Sequence, residues 1–152
     1  MEFELGEIYS GYQFLERVES CQNAVSYRVH NTFAQREELL KVVAPFARDD
    51  RDAAEAFLRE ARILARVSHP HIVGFYTAQP IDGRMAMTIE WSESERLSAR
   101  LRKGPIALPE ALDAARQLLS ALSCLHSQNV VHLNITSSSV LRGPSGACAS
   151  PI

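Results

Sequence analysis

Cysteine is scarce in this sequence, and the three present, Cys21, Cys124 and Cys148, are odd in number and far apart. Zinc sites and disulfide frameworks need close or paired cysteines, so neither is expected. The plain reading is free thiols in a reducing cytoplasm. No apolar run in the sequence reaches the ~18 residues of a membrane span. The start of the chain, Met1-Glu2-Phe3-Glu4-Leu5, is acidic where a secretory leader is basic. Blocks of like charge are missing too: 16 Lys and Arg are spread among 18 Asp and Glu, for a net charge of −2 and a pI near 6.2. Nucleic-acid and anionic-membrane binders carry a basic excess, so neither partner is expected. No internal repeat is visible.

What is present is the composition of a soluble globular domain, 46% hydrophobic and 22% charged in 152 residues. Tyr12, Phe14, Leu15 and Val18 open a strand pattern, and Ser26-Tyr27-Arg28-Val29-His30 and Glu38-Leu39-Leu40-Lys41-Val42-Val43 continue it. Pro45 and the polar run from Arg48 to Asp52 lead into a helix expected over 52–67, with Phe57, Ala61, Leu64 and Val67 about one face. Ser68-His69-Pro70 should end it, because proline disfavours helix in the preceding residue. Two strands, 72–78 and 84–91, are expected around the hairpin signal Asp82-Gly83. A short helix over 96–103 is broken by Gly104-Pro105. A long helix over 109–128 then carries Leu112, Ala115, Leu118, Leu119, Leu122 and Leu125 at helical spacing. Strands first and helices later indicate an α+β fold with an antiparallel sheet.

That order, with the residues that punctuate it, resembles a Ser/Thr protein kinase domain of the eukaryotic type found also in bacteria. The stretch from Phe57 through Glu60 to His69-Pro70-His71-Ile72-Val73 is similar to the family's helix glutamate, His-Pro and following strand. Asp82-Gly83 to Glu90-Trp91 resembles the hairpin that leads into the hinge, and Leu125 to His132 the approach to the catalytic loop. The resemblance implies an N-terminal extension at 1–11 and a partial kinase-like domain at 12–143, followed by a disordered tail at 144–152. The domain divides into an N-lobe at 12–91, with a five-stranded sheet and one helix, and a hinge with the first two helices of a C-lobe at 92–143. On this reading the chain is truncated after the catalytic loop, before any D-F-G aspartate.

The resemblance also assigns roles. Lys41 matches the strand lysine that holds nucleotide phosphates, and Glu60, nineteen residues later, the helix glutamate that pairs with it. Leu39 stands where a small residue roofs the adenine. Ile89 guards the pocket, and Glu90, Trp91 and Ser92 form the hinge. The three phosphate-loop glycine positions fall on Glu19, Cys21 and Ala24, and the valine after the loop on Ser26. Side chains there, one of them anionic, oppose a close phosphate cradle. The catalytic pattern H-R-D-x-x-x-x-N becomes His132-Leu133-Asn134-Ile135-Thr136-Ser137-Ser138-Ser139. The base position is thus Asn134 and the metal-binding position Ser139, with Thr136 in place of a frequent lysine. An amide is no useful base, and a hydroxyl is a weak Mg²⁺ ligand. His132 is implied as a packing residue, in a spine with Leu64 and Phe75.

Three readings stand. The favoured one is a pseudokinase-like domain that acts, if at all, by binding a protein partner or by self-association through the 109–128 helix. The others are a non-functional remnant of a larger kinase gene, and an ATP-dependent phosphotransferase completed by another chain. ATP and Mg²⁺ are the cofactors the family implies, with weak or no binding expected here, and no other metal.

Overall fold

The structure, a computed structural model, describes residues 3–20, 24–44, 51–132, 135–143 and 146–149. The chain forms two compact units, residues 1–65 with 75–91 and residues 66–74 with 92–152.

The first unit is an antiparallel sheet in the order β1-β2-β3-β4-β6-β5, formed by β1 (Ile8–Tyr9), β2 (Tyr12–Ser20), β3 (Ala24–Asn31), β4 (Arg36–Val43), β5 (Phe75–Ile81) and β6 (Arg84–Glu90). The five expected strands are there, with β1 added at the edge. Alternation along β2, β3 and β4 buries Phe14, Val29, Leu40 and Val42, while β6 buries Met87 and Ile89 on its other face as well as Ala86 and Thr88. Helix α1 (Arg51–Leu64) packs Ala53, Phe57, Ala61 and Leu64 into the same core, at spacings that keep them on one face. Burying a side chain such as Phe57 contributes about 1.5–3 kcal/mol. Turn chemistry sets the hairpins. Asn31 Oδ1 accepts the Phe33 and Ala34 N–H groups at 3.0 and 2.9 Å. Asp82 and Gly83 both take positive φ, 48° and 71°, as a two-residue hairpin requires.

Within the expected N-terminal extension, Phe3 belongs to this core. Phe3 is buried, stacks on Phe14 with centroids 4.4 Å apart, and lies under the Arg84 guanidinium at 3.5 Å. The strand expected from Ile72 begins instead at Phe75. Ile72 spends its apolar side chain elsewhere, in a cluster with Ala121 and Leu125.

The second unit holds β7 (Glu95–Arg96), α2 (Leu97–Arg102), α3 (Leu108–Ser127), β8 (Val140–Gly143) and β9 (Gly146–Ala149), with a small sheet in the order β7-β8-β9. Part of the stretch expected as a disordered tail therefore forms β9, paired with β8. Pro109 sits in the first turn of α3, where its missing N–H costs nothing. At the other end Asn129 takes φ 59°, and the Val130 and Asn129 N–H groups donate to the Leu125 and His126 carbonyls, each at 3.0 Å. This 6→1 and 5→2 pair closes the helix. Among the described residues no helix is long and apolar enough to cross a membrane.

Candidate functional site

In the first unit, β4 and α1 bring Lys41 and Glu60 together. Lys41 Nζ donates to both carboxylate oxygens, each at 2.8 Å. The two side chains are 22% and 13% exposed, so the pair is shielded from water's screening. Burial pushes the Glu60 carboxyl above its usual range, against the pull of the Lys41 charge and hydrogen bond.

Sheet register places the other first-unit positions. Glu19 stands opposite Ser26, and Ser26 opposite Lys41. Directly opposed residues project from the same face of a sheet. The glutamate, the serine and the lysine therefore share one face. Leu39 lies between Arg28 and Ile89 on the neighbouring strands and packs on the core, and Ile89 is buried. Glu90 ends β6 and is exposed. Trp91 follows with the Arg28 guanidinium 5.3 Å from its ring, and its indole Nε1 is buried without a hydrogen-bond partner. Ala24 is buried at the start of β3. Cys21 lies outside the described residues.

In the second unit, Ser92 Oγ is hydrogen-bonded to Ser94 Oγ. His132 is buried and lines an apolar cavity with Leu118, Leu122, Leu125, Ile135 and Val140. Leu133 and Asn134 lie outside the described residues. Ser139 closes a turn on Thr136: its Oγ accepts the Thr136 N–H at 2.8 Å and donates to the Thr136 carbonyl at 2.9 Å. The same turn accepts the Ser98 N–H at Ser137 at 2.8 Å, and the Arg96 guanidinium at Ser138. Ser139 Oγ thus has its donor and one lone pair engaged within the loop, a poor starting point for a metal ligand. Among the described residues no three His, Cys, Asp or Glu side chains converge. Among the described residues, the Ser139 turn and its surroundings do not fit the family's Mg²⁺.

Two features escaped the sequence reading. Glu38 is fully buried on β4, where Oε1 accepts from Asn31 at 3.0 Å and from Arg36 at 2.8 Å while Oε2 has no partner. Strict alternation would have found it, since Glu38 shares its strand face with Leu40 and Val42. The segment 66–74 belongs with α3, where His69 Nε2 lies 3.1 Å from Ser120 Oγ. A contact fifty-one residues apart in sequence leaves no local signal.

A family model described as "Protein kinase domain" matches residues 12–146. The serine/threonine-protein kinase PknJ of Mycobacterium tuberculosis is 26% identical over 134 residues, 88% of this chain and 23% of that protein. PknE of Mycobacterium bovis is 30% identical over 116 residues, 76% of this chain and 20% of its own length. The chain therefore spans less than a quarter of these curated relatives. Among solved structures, the M. tuberculosis PknI kinase domain superposes with a TM-score of 0.84 at 18% identity, covering 99% of this chain and 61% of that one. At that identity the likeness is one of fold.

Proposed function

Because the chain belongs to the protein kinase domain family, we propose that it is a kinase-like module that works through protein contact and does not itself transfer phosphate. The observation that carries this reading is the Ser139 turn, whose hydroxyl is hydrogen-bonded to Thr136 in both directions. The family places a metal-binding asparagine there and a base aspartate at the position of Asn134. Aspartate accepts the substrate hydroxyl's proton in that scheme, and an amide does not.

Protein kinases use ATP and Mg²⁺. Here the Lys41–Glu60 pair keeps one element of nucleotide binding, while Glu19 stands in register with Lys41 and repels phosphate. Weak or absent nucleotide binding follows. The contact surface in this reading is the outer face of α3, where Leu108, Leu112, Ala115 and Leu119 are all exposed. Their spacing of four, three and four residues is that of a coiled-coil seam, which suits a helix of a second copy. A phosphotransferase completed by another chain is the second reading, favoured by the Lys41–Glu60 pair alone.

Incubation with labelled ATP and Mg²⁺ or Mn²⁺, with and without a generic basic protein, tests the reading. No transfer is expected. Transfer that Lys41→Met abolishes would overturn it.

A further inference from the structure

The chain leaves the first unit at Trp91, its single tryptophan, and enters the second at Ser92. The family resemblance places both residues in the hinge. The indole Nε1 of Trp91 is buried without a hydrogen-bond partner, so no hydrogen bond fixes the ring. The Arg28 guanidinium lies 5.3 Å from the ring centroid, within cation–π range. Arg28 is itself fixed in orientation. Its Nε donates to Glu37 Oε2 at 2.7 Å and its Nη2 to Glu37 Oε1 at 3.0 Å, a two-pronged bond along one edge of the guanidinium plane. Nη1 lies 3.9 Å from Glu16 Oε2. Bonding along an edge leaves the flat faces to stack, and arginine does both at once where lysine cannot.

Sheet register explains the meeting. Glu16, Arg28, Leu39 and Ile89 stand opposite one another on β2, β3, β4 and β6. Glu37 lies two residues before Leu39 and so projects from the same face of β4. Trp91 comes two residues after Ile89, just beyond the end of β6. The Arg28 hydrogen bond holds the Glu37 carboxyl below its usual range, so Glu37 is anionic at neutral pH.

We propose that Arg28 is a positioning residue for the hinge: held flat by Glu37, it clamps the Trp91 indole and so fixes the side chain at the point where the chain leaves the first unit. Glu37 acts at one remove, by setting the plane of the guanidinium. A cation without the planar fork leaves the ring unclamped, and so does a guanidinium without its carboxylate. This device is separate from the phosphate chemistry argued at Asn134 and Ser139.

Trp91 reports on the clamp directly, because the chain has no other tryptophan. The test is indole Nε1–H exchange by NMR, with tryptophan emission, on the full chain near neutral pH. Arg28→Met keeps an unbranched stem and removes the guanidinium. The indole proton should then exchange about fivefold faster and the emission move to longer wavelength, the effect of losing one cation–π contact. Arg28→Lys keeps the charge without the fork and should show most of the same change. Glu37→Gln should move both readings the same way, and should add nothing in the Arg28→Met background, as a residue that acts through Arg28 must. An unchanged Trp91 in Arg28→Met, or a Glu37→Gln effect that persists in that background, would overturn the proposal. Arg28 and Glu37 are 28% and 36% exposed, and circular dichroism checks that the variants fold. Should Arg28→Met fail to fold, the unaltered chain still decides: an indole proton exchanging at the rate of free tryptophan rules the clamp out.

Discussion

Lys41 Nζ lies 2.8 Å from both carboxylate oxygens of Glu60, yet burial leaves that carboxyl harder to ionise than a free glutamate. The folded chain therefore holds the Glu60 proton more tightly than the unfolded chain does. Its contribution to stability is full below the ordinary glutamate range and is lost as pH rises through the raised folded value. Glu37 and Asp113, held below their usual range by Arg28 and Arg116, act with the opposite sign at lower pH. Denaturant midpoints of the wild type and Glu60→Gln, compared from about pH 4 to about pH 7, isolate the Glu60 share. The difference should move in favour of glutamine as pH rises. A difference that stays constant would mean that Glu60 ionises as it would in water.

Nucleotide binding is expected to be weak because Glu19, Ser26 and Lys41 stand in one cross-strand line. Thermal unfolding with and without millimolar Mg-ATP measures it. A ligand present at 100 times its Kd would add about 2.7 kcal/mol, an easily visible shift. No such shift is expected for the wild type. A clear shift, lost in Lys41→Met, would establish a nucleotide site and weaken the electrostatic argument from Glu19.

The turn between β1 and β2 depends on one glycine. Gly11 has φ 84°, and a Cβ placed there would lie 2.2 Å from Phe33 Cε2. Phe33 is an exposed ring and can swing away, whereas the backbone conformation cannot be relieved. Gly11→Ala should therefore cost about 1–2 kcal/mol, the penalty of a left-handed residue with a side chain. Adding Phe33→Ala should recover little of that loss in equilibrium unfolding. Full recovery in the double variant would assign the cost to the ring contact instead.

Much of the first unit was legible in the sequence because its signals are local. Asp82-Gly83 gave the β5–β6 hairpin, alternation gave β2, β3 and β4, and the spacing of Phe57, Ala61 and Leu64 gave the α1 face. Lys41 and Glu60 were matched by their order along the chain, and the sheet and helix then bring them into contact. Signals that served distant partners were misread. Ile72 looked like the start of β5 and instead packs on α3, and the place of Phe3 in the core was not foreseen. Neither contact has a periodicity to betray it.

The last prediction concerns the outer face of α3. Leu108, Leu112 and Leu119 are 70%, 61% and 65% exposed, and Ala115 between them is exposed as well. Isolated exposed leucines are ordinary, but a seam at four-three-four spacing is a ready helix-pairing surface. Fully burying one leucine contributes about 1.5–3 kcal/mol, so three from each of two copies outweigh a substantial part of the cost of association. The chain is therefore expected to self-associate in sedimentation equilibrium, with an apparent mass that rises with concentration. Leu112→Glu with Leu119→Glu should restore a monomer without loss of fold, because both side chains face solvent. Leu118 and Leu122 are half-buried, and Leu122 packs on the cluster of Ile72, Ala121 and Leu125. Glutamate at those two positions should lower the melting temperature, which separates damage to the core from relief at the surface. A monomer at every concentration that binds no hydrophobic dye would rule out α3 as a contact surface between copies. Association that survives the Leu112 and Leu119 substitutions would place the contact elsewhere on the chain.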